Sequence, residues 1–195
     1  ETKIICKKFK KWVLIGSLPI KDKNKLKNRS IMINSKGKIA SYYDKINMFD
    51  VKLSKNELHK ESKIYNAGKK IVTNKLPWGK IGFTICYDLR FPELYRTLSK
   101  KKLNFISVPS AFTNLTGKKH WHTLLKARAI ENFCYIFAPA QTGRNTKKRE
   151  TYGHTIIVSP DGKIIKEKKC GEGIILAKID PNLSMKLRKI IPSLV

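Results

Sequence analysis

The sequence predicts an α/β fold built on a mixed sheet, and three observations predict it. Short apolar runs alternate with helical stretches through the middle of the chain. Turn signals stand near both ends, at Asn34-Ser35-Lys36-Gly37 and at Pro160-Asp161-Gly162. The chain has 195 residues and 41% apolar content, enough for one core, so residues 1–195 are read as a single domain.

Taken in order, residues 1–10 read as the lysine-rich tail of a helix. Lys11 to Leu18 is a buried strand stopped by Pro19, and Asp22 to Lys27 a charged loop. Ser30–Ile33 and Ile39–Tyr43 flank the first turn as a hairpin. Residues 46–69 show no clean period, and a connection of that length is usually functional. Lys70–Thr73 is a short strand, and Gly79 to Ile85 a buried one. Pro92 to Lys100 is a helix, with Pro92 allowed in the first turn and Glu93 matched to the helix dipole. Phe105–Val108 is a strand stopped by Pro109. Lys118 to Phe133 is an amphipathic helix, with Trp121, Leu124, Leu125, Ala129, Ile130 and Phe133 on one face. Strands follow at Tyr135–Ala138, Thr155–Ser159, Lys163–Glu167 and Gly173–Lys178. A last helix runs from Pro181 to Lys189, before Pro192.

Composition narrows the function classes. The formal net charge is +28, from 42 Lys+Arg against 14 Asp+Glu. Only seven of those 42 are arginine, the residue that phosphate and groove readers rely on. The lysines are spread along the chain without interleaved aromatics, which argues against nucleic-acid binding as the main role. No run of eighteen apolar residues marks a membrane span, and no apolar leader opens the chain. Cys6, Cys86, Cys134 and Cys170 are scattered without a C-x-x-C, which fits a reducing cytoplasm better than a disulfide framework or a zinc ribbon.

One stretch organises the rest: Ile85-Cys86-Tyr87-Asp88-Leu89-Arg90-Phe91-Pro92-Glu93-Leu94. It joins a buried strand to a helix start, with Cys86 at the junction. A thiol there is either buried and inert or held ready as a nucleophile, and the polar flank of Tyr87, Asp88 and Arg90 is unusual for a core position. This stretch resembles the nucleophile motif of the nitrilase superfamily, the carbon–nitrogen hydrolases. Tyr43-Asp44-Lys45-Ile46-Asn47-Met48-Phe49-Asp50 is similar to the family's lysine motif, and His59-Lys60-Glu61-Ser62 to its second-glutamate loop. Pro109-Ser110-Ala111-Phe112, His120-Trp121, Ala127-Arg128-Ala129-Ile130-Glu131, Gln141-Thr142-Gly143-Arg144 and Tyr152-Gly153-His154 resemble the branch of deaminated glutathione amidases and ω-amidases.

The resemblance implies a four-layer α-β-β-α sandwich, no cofactor and a homodimer paired through the helices at 92–100 and 118–133. It implies hydrolysis of a linear non-peptide amide through a cysteine thioester, with N-carbamoyl amides as the alternative substrates. Such chemistry needs a nucleophile, a base, an oxyanion donor and an acid for the leaving amine. Cys86 takes the first role, Lys45 the catalytic lysine and Glu61 the second glutamate. The Tyr87 backbone N–H is the second oxyanion donor, and Arg90 and Phe112 belong to substrate binding. Two departures stand out: Asn47 replaces a common histidine, and the family's general-base glutamate matches no residue of this sequence, so the chain is read as N-terminally truncated and slightly short at Ile191–Val195. An inactive binding or scaffold protein is the alternative from another class.

Other constellations are weaker. Cys86 with His120 or His154 would mimic a protease pair, but nothing in the sequence joins them. His120 and His122, two apart on a helix, point to opposite sides and cannot chelate one metal, so no metal site is expected. Thr116-Gly117-Lys118-Lys119 lacks the leading glycine of a phosphate loop.

Overall fold

The computed structural model describes residues 1–54, 57–146 and 149–194. Val195, in the expected short tail, lies outside them, as do residues 55 and 56 of the 46–69 connection. The chain divides into two compact units, Glu1–Asn74 and Lys75–Val195.

The first unit opens with helix α1 (Thr2–Phe9), followed by strands β1 (Val13–Asp22), β2 (Lys25–Ile33) and β3 (Ile39–Asp44) in an antiparallel sheet of that order. β1 does not stop at Pro19. It continues to Asp22, with Pro19 opposite Asn28, because β1 is an edge strand where a missing N–H is tolerated. The expected charged loop is a tight hairpin, with Asp22 paired to Lys25 and Lys23 at φ 55°. The 46–69 connection holds a hairpin, β4 (Asp50–Ser54) with β5 (Glu57–Lys60), then a 3-10 turn at Glu61–Lys63. Met32, Ile33 and Tyr43 are the buried apolar residues of these strands.

The second unit is built on a six-stranded sheet of order β13-β12-β9-β8-β7-β6. Its elements are β6 (Thr73–Leu76, which starts at the unit boundary), β7 (Gly79–Phe83), α2 (Pro92–Ser99), β8 (Phe105–Ser107), α3 (Asn114–Asn132) and β9 (Tyr135–Ala138). A second hairpin, β10 (Thr142–Thr146) with β11 (Arg149–Tyr152), precedes β12 (Thr155–Val158), β13 (Ile164–Lys168) and α4 (Leu183–Ile190). β7, β8 and β9 run parallel, which explains their almost wholly apolar, buried sequences. Each large core side chain, such as Phe83, Phe105 or Trp121, contributes about 1.5–3 kcal/mol of burial.

Four expectations differ in this unit. The strand expected at 70–73 is shifted to β6. α3 starts one turn earlier than expected, capped by the Thr113 hydroxyl, which accepts from the Thr116 N–H. Ile130 of α3 is exposed, and Arg128 and Asn132 are buried instead of it. Residues 173–178 carry a strand-like apolar run but form no ladder among the described residues, leaving Ile174 and Leu176 85% and 82% exposed. A strand needs a hydrogen-bonding partner as well as a pattern.

Candidate active site

The parallel strands β7, β8 and β9 bring their carboxyl ends side by side, the edge where open α/β sheets bind ligands. Cys86 follows β7 there and opens a 3-10 turn to Arg90. Its φ of 50° lies in the left-handed region, which costs a non-glycine residue roughly 1–2 kcal/mol. The surroundings hold that conformation. The Cys86 N–H donates to the Pro109 carbonyl at 3.0 Å. The buried Asp88 carboxylate accepts from the Ile85 N–H at 2.9 Å, and the Asp88 N–H donates to the Ile85 carbonyl. Arg128 of α3 donates from Nε to the Leu89 carbonyl at 3.1 Å and stacks over Tyr95. Thr84 Oγ1 lies 2.8 Å from the Tyr95 hydroxyl, and burial pushes that phenol far above its ordinary range. Cys86 itself is half-buried, so its thiol is positioned but reachable.

Arg90 and Phe112, both expected at the substrate, are brought together: the guanidinium lies over the Phe112 ring at 5.4 Å. Both terminal nitrogens of Arg90 sit 3.3 Å from His120 Nδ1, and Phe112 packs on Trp121 at 4.8 Å. Tyr87, next to Cys86, meets Phe91 edge-on at 5.4 Å.

In the first unit Lys45 and Glu61 form a pair. Among the described residues Lys45 is the one buried lysine, 2% exposed, and its ammonium is hydrogen-bonded to Glu61 Oε2. The Phe49 N–H donates to the same oxygen at 2.7 Å, and the Asn28 amide donates to Oε1 at 3.2 Å. Burying a charge is tolerable only with such pairing and hydrogen bonding. Lys45 is fixed from behind as well: its N–H donates to the Asn28 carbonyl, and its carbonyl accepts from the Gly68 N–H at 2.7 Å. A Cβ on Gly68 would meet the Asp44 carbonyl oxygen at 2.1 Å, so only glycine permits this approach.

Cys134 is buried, and burial pushes its thiol up to about 12, as expected for an inert core cysteine. His120 is engaged by Arg90 and His154 by Glu167, which accounts for both rings without Cys86. Sequence reasoning missed two features. One is the role of Arg128, whose buried guanidinium braces the Cys86 turn; its signals were the Ala127–Glu131 motif and a polar residue on the apolar side of α3. The other is the meeting of His122, His154 and Glu167, which three distant segments supply.

The model of the carbon–nitrogen hydrolase family matches residues 3–189. This chain belongs to that family. As a carbon–nitrogen hydrolase it acts on C–N bonds other than peptide bonds. It is 39% identical over 195 residues to a deaminated glutathione amidase of Synechocystis, covering 97% of this chain and 72% of that protein. The crystal structure of the C. elegans NitFhit protein superposes with a TM-score of 0.89 at 37% identity, over 98% of this chain and 47% of that one. Saccharomyces cerevisiae Nit3, a member of branch 10 of the nitrilase superfamily, gives 0.87 at 34%, over 98% and 68%. The carbon–nitrogen hydrolase therefore has the nitrilase α/β fold that its motifs imply.

Proposed function

We propose that this chain hydrolyses a linear ω-amide bearing a carboxylate, deaminated glutathione being the leading candidate, with Cys86 as the nucleophile. The observation that carries the reading is the left-handed Cys86 turn at the carboxyl end of β7, half-buried and braced by Asp88, Pro109 and Arg128. Backbone strain retained at a polar strand end is a mark of function. The buried Lys45–Glu61 pair supports it, because such a lysine is costly to keep without a role.

In this reading a base takes the Cys86 proton and the thiolate adds to the amide carbonyl carbon. Charge then develops on the carbonyl oxygen, where the Tyr87 N–H acts as a donor and where the lysine motif implies the same role for the Lys45 ammonium. The C–N bond breaks as the proton passes to nitrogen, releasing ammonia and leaving a Cys86 thioester. Water attacks that thioester, giving the carboxylate and the free thiol. Glu61 holds Lys45 in place. Arg90, backed by His120 and Phe112, pairs with the substrate carboxylate. The enzyme works as a cytoplasmic homodimer, a reading supported by the four free cysteines and the family's habits.

Acid-quench mass spectrometry of the protein, as its gene encodes it, tests this. With a panel of ω-amides and N-carbamoyl amides, the expected result is an acyl adduct on Cys86 together with ammonia release from ω-amides. Turnover without any Cys86 adduct, retained in Cys86→Ala, would overturn the assignment.

A further inference from the structure

His122, His154 and Glu167 come from three separate places and meet at one point of the second unit. β12 and β13 pair so that Glu167 stands opposite Ile156. His154 stands just before β12, whose first residue Thr155 pairs with Lys168, so its left-handed turn brings it beside Glu167. His122 reaches them from α3. His122 Nε2 and His154 Nδ1 lie 2.8 and 2.5 Å from Glu167 Oε1, and the three ligand atoms all fall within 4.8 Å of one another. Their side chains are 30%, 17% and 19% exposed, so the cluster is shielded without being sealed.

The rings are also fixed independently of the carboxylate. Tyr152 stacks on His154 at 4.0 Å, and His122 meets His154 edge-on at 5.0 Å. The Trp121 indole N–H donates to the His154 carbonyl at 2.9 Å, and the His154 N–H donates to the Lys169 carbonyl at 2.8 Å. His154 holds a φ of 60°, a conformation uncommon for a side-chain-bearing residue.

We infer that these three residues form a zinc site, with two imidazole nitrogens, one carboxylate oxygen and a fourth position open to water. Two imidazoles with one carboxylate suit a borderline cation such as Zn²⁺, whereas calcium and magnesium take oxygen ligands. In the cluster each ring N–H donates to Glu167 Oε1. Zinc takes those nitrogen lone pairs instead. The proton of His122 then resides on Nδ1 and that of His154 on Nε2, so neutral rings bind by changing tautomer and release no proton. Zinc bonds of ~2.0–2.2 Å set tetrahedral ligand atoms roughly 3.3–3.5 Å apart, so Oε1 withdraws by less than about 1 Å from each nitrogen. The chain's net charge of +28 opposes a further cation, so the single negative ligand, Glu167, decides the affinity.

The test is calorimetric titration of the chelator-treated full chain with ZnCl₂, alongside the absorption spectrum with Co²⁺. One zinc per chain is expected, with a Tm that rises on zinc addition and a cobalt spectrum free of thiolate charge transfer. Glu167→Gln should weaken binding about 100-fold and lose the Tm response. His122→Gln and His154→Asn should weaken it at least tenfold; asparagine tolerates the φ at 154. Should Glu167→Gln fail to fold, His122→Gln on the helix surface carries the test. No zinc binding by the unaltered chain overturns the inference. So does equal binding by the variants, or thiolate charge transfer, which would place the ion on Cys86 or Cys170.

Discussion

Lys45 is one of many lysines, and its burial separates it from the rest. Replacing it by Met removes the ammonium while keeping the stem volume. Turnover should fall by roughly 10²–10³-fold if Lys45 is an oxyanion donor. Stability should fall too, because Glu61 would be left a mostly buried carboxylate without its counter-charge, held by the Phe49 N–H and the Asn28 amide. Breaking such a pair from one side costs about 3–5 kcal/mol. The double variant Lys45→Met/Glu61→Gln should recover much of the melting temperature and none of the activity. A double variant that regains turnover would remove Lys45 from the chemistry. The cysteines allow a second test at this scale. Iodoacetamide should modify Cys86 and Cys170 and leave Cys6 and Cys134 intact, since the last two are buried and Cys134 titrates only at about 12. Peptide mapping during inactivation should show activity loss tracking Cys86; loss that tracks Cys170 would contradict the assignment.

At the scale of elements, α3 does two jobs: its buried face packs the core, and Arg128 on that face braces the Cys86 turn. Gly117 inside this helix is informative because two effects of Gly117→Ala oppose each other. Alanine gains about 1 kcal/mol in helix propensity. Its Cβ, however, would stand 2.4 Å from Tyr152 Cβ and Cγ, atoms too near the backbone to swing away. Overpacking of this kind costs typically 1–3 kcal/mol, so the steric term wins. Gly117→Ala should therefore lower the denaturant midpoint, and an unchanged or raised midpoint would show that β11 yields. The same contact explains why a glycine lies within this helix.

For the molecule as a whole, the homodimer reading makes a mass prediction. Leu115 and Ile130 of α3 are exposed, 15 residues apart and thus about 60° around the helix axis, with the exposed Lys119 and Lys126 between them, so a partner would meet two apolar contacts within a basic surface. A stable pair buries about 800 Å² on each partner. Light scattering of the full chain at micromolar concentration should give twice the 22.4 kDa expected for one copy of these residues. A monomer, or a dimer undisturbed by Leu115→Glu/Ile130→Glu, would exclude α3 as the interface. Among the described residues no helix is long and apolar enough to cross a membrane.

Sequence alone determined the family and the α/β class with its mixed sheet, because these depend on contiguous residues. The strand–turn–helix run around Cys86 is written in one stretch, and apolar runs such as Phe105–Val108 require burial wherever they end up. Pro19 misled because proline's effect depends on whether a strand lies at an edge, which only pairing decides. Residues 173–178 misled for the same reason: an apolar run favours burial but cannot supply a ladder partner. Lys45 was visible through a motif, but its burial and its carboxylate partner came from the packing of β2, β3 and the Glu61 turn. The hairpin at Pro160-Asp161-Gly162 foreshadowed His154 beside Glu167, but the arrival of His122 had no sequence signal. A helix, a left-handed residue and an edge strand bring the three together, and no periodicity in the chain encodes a contact between elements 45 residues apart.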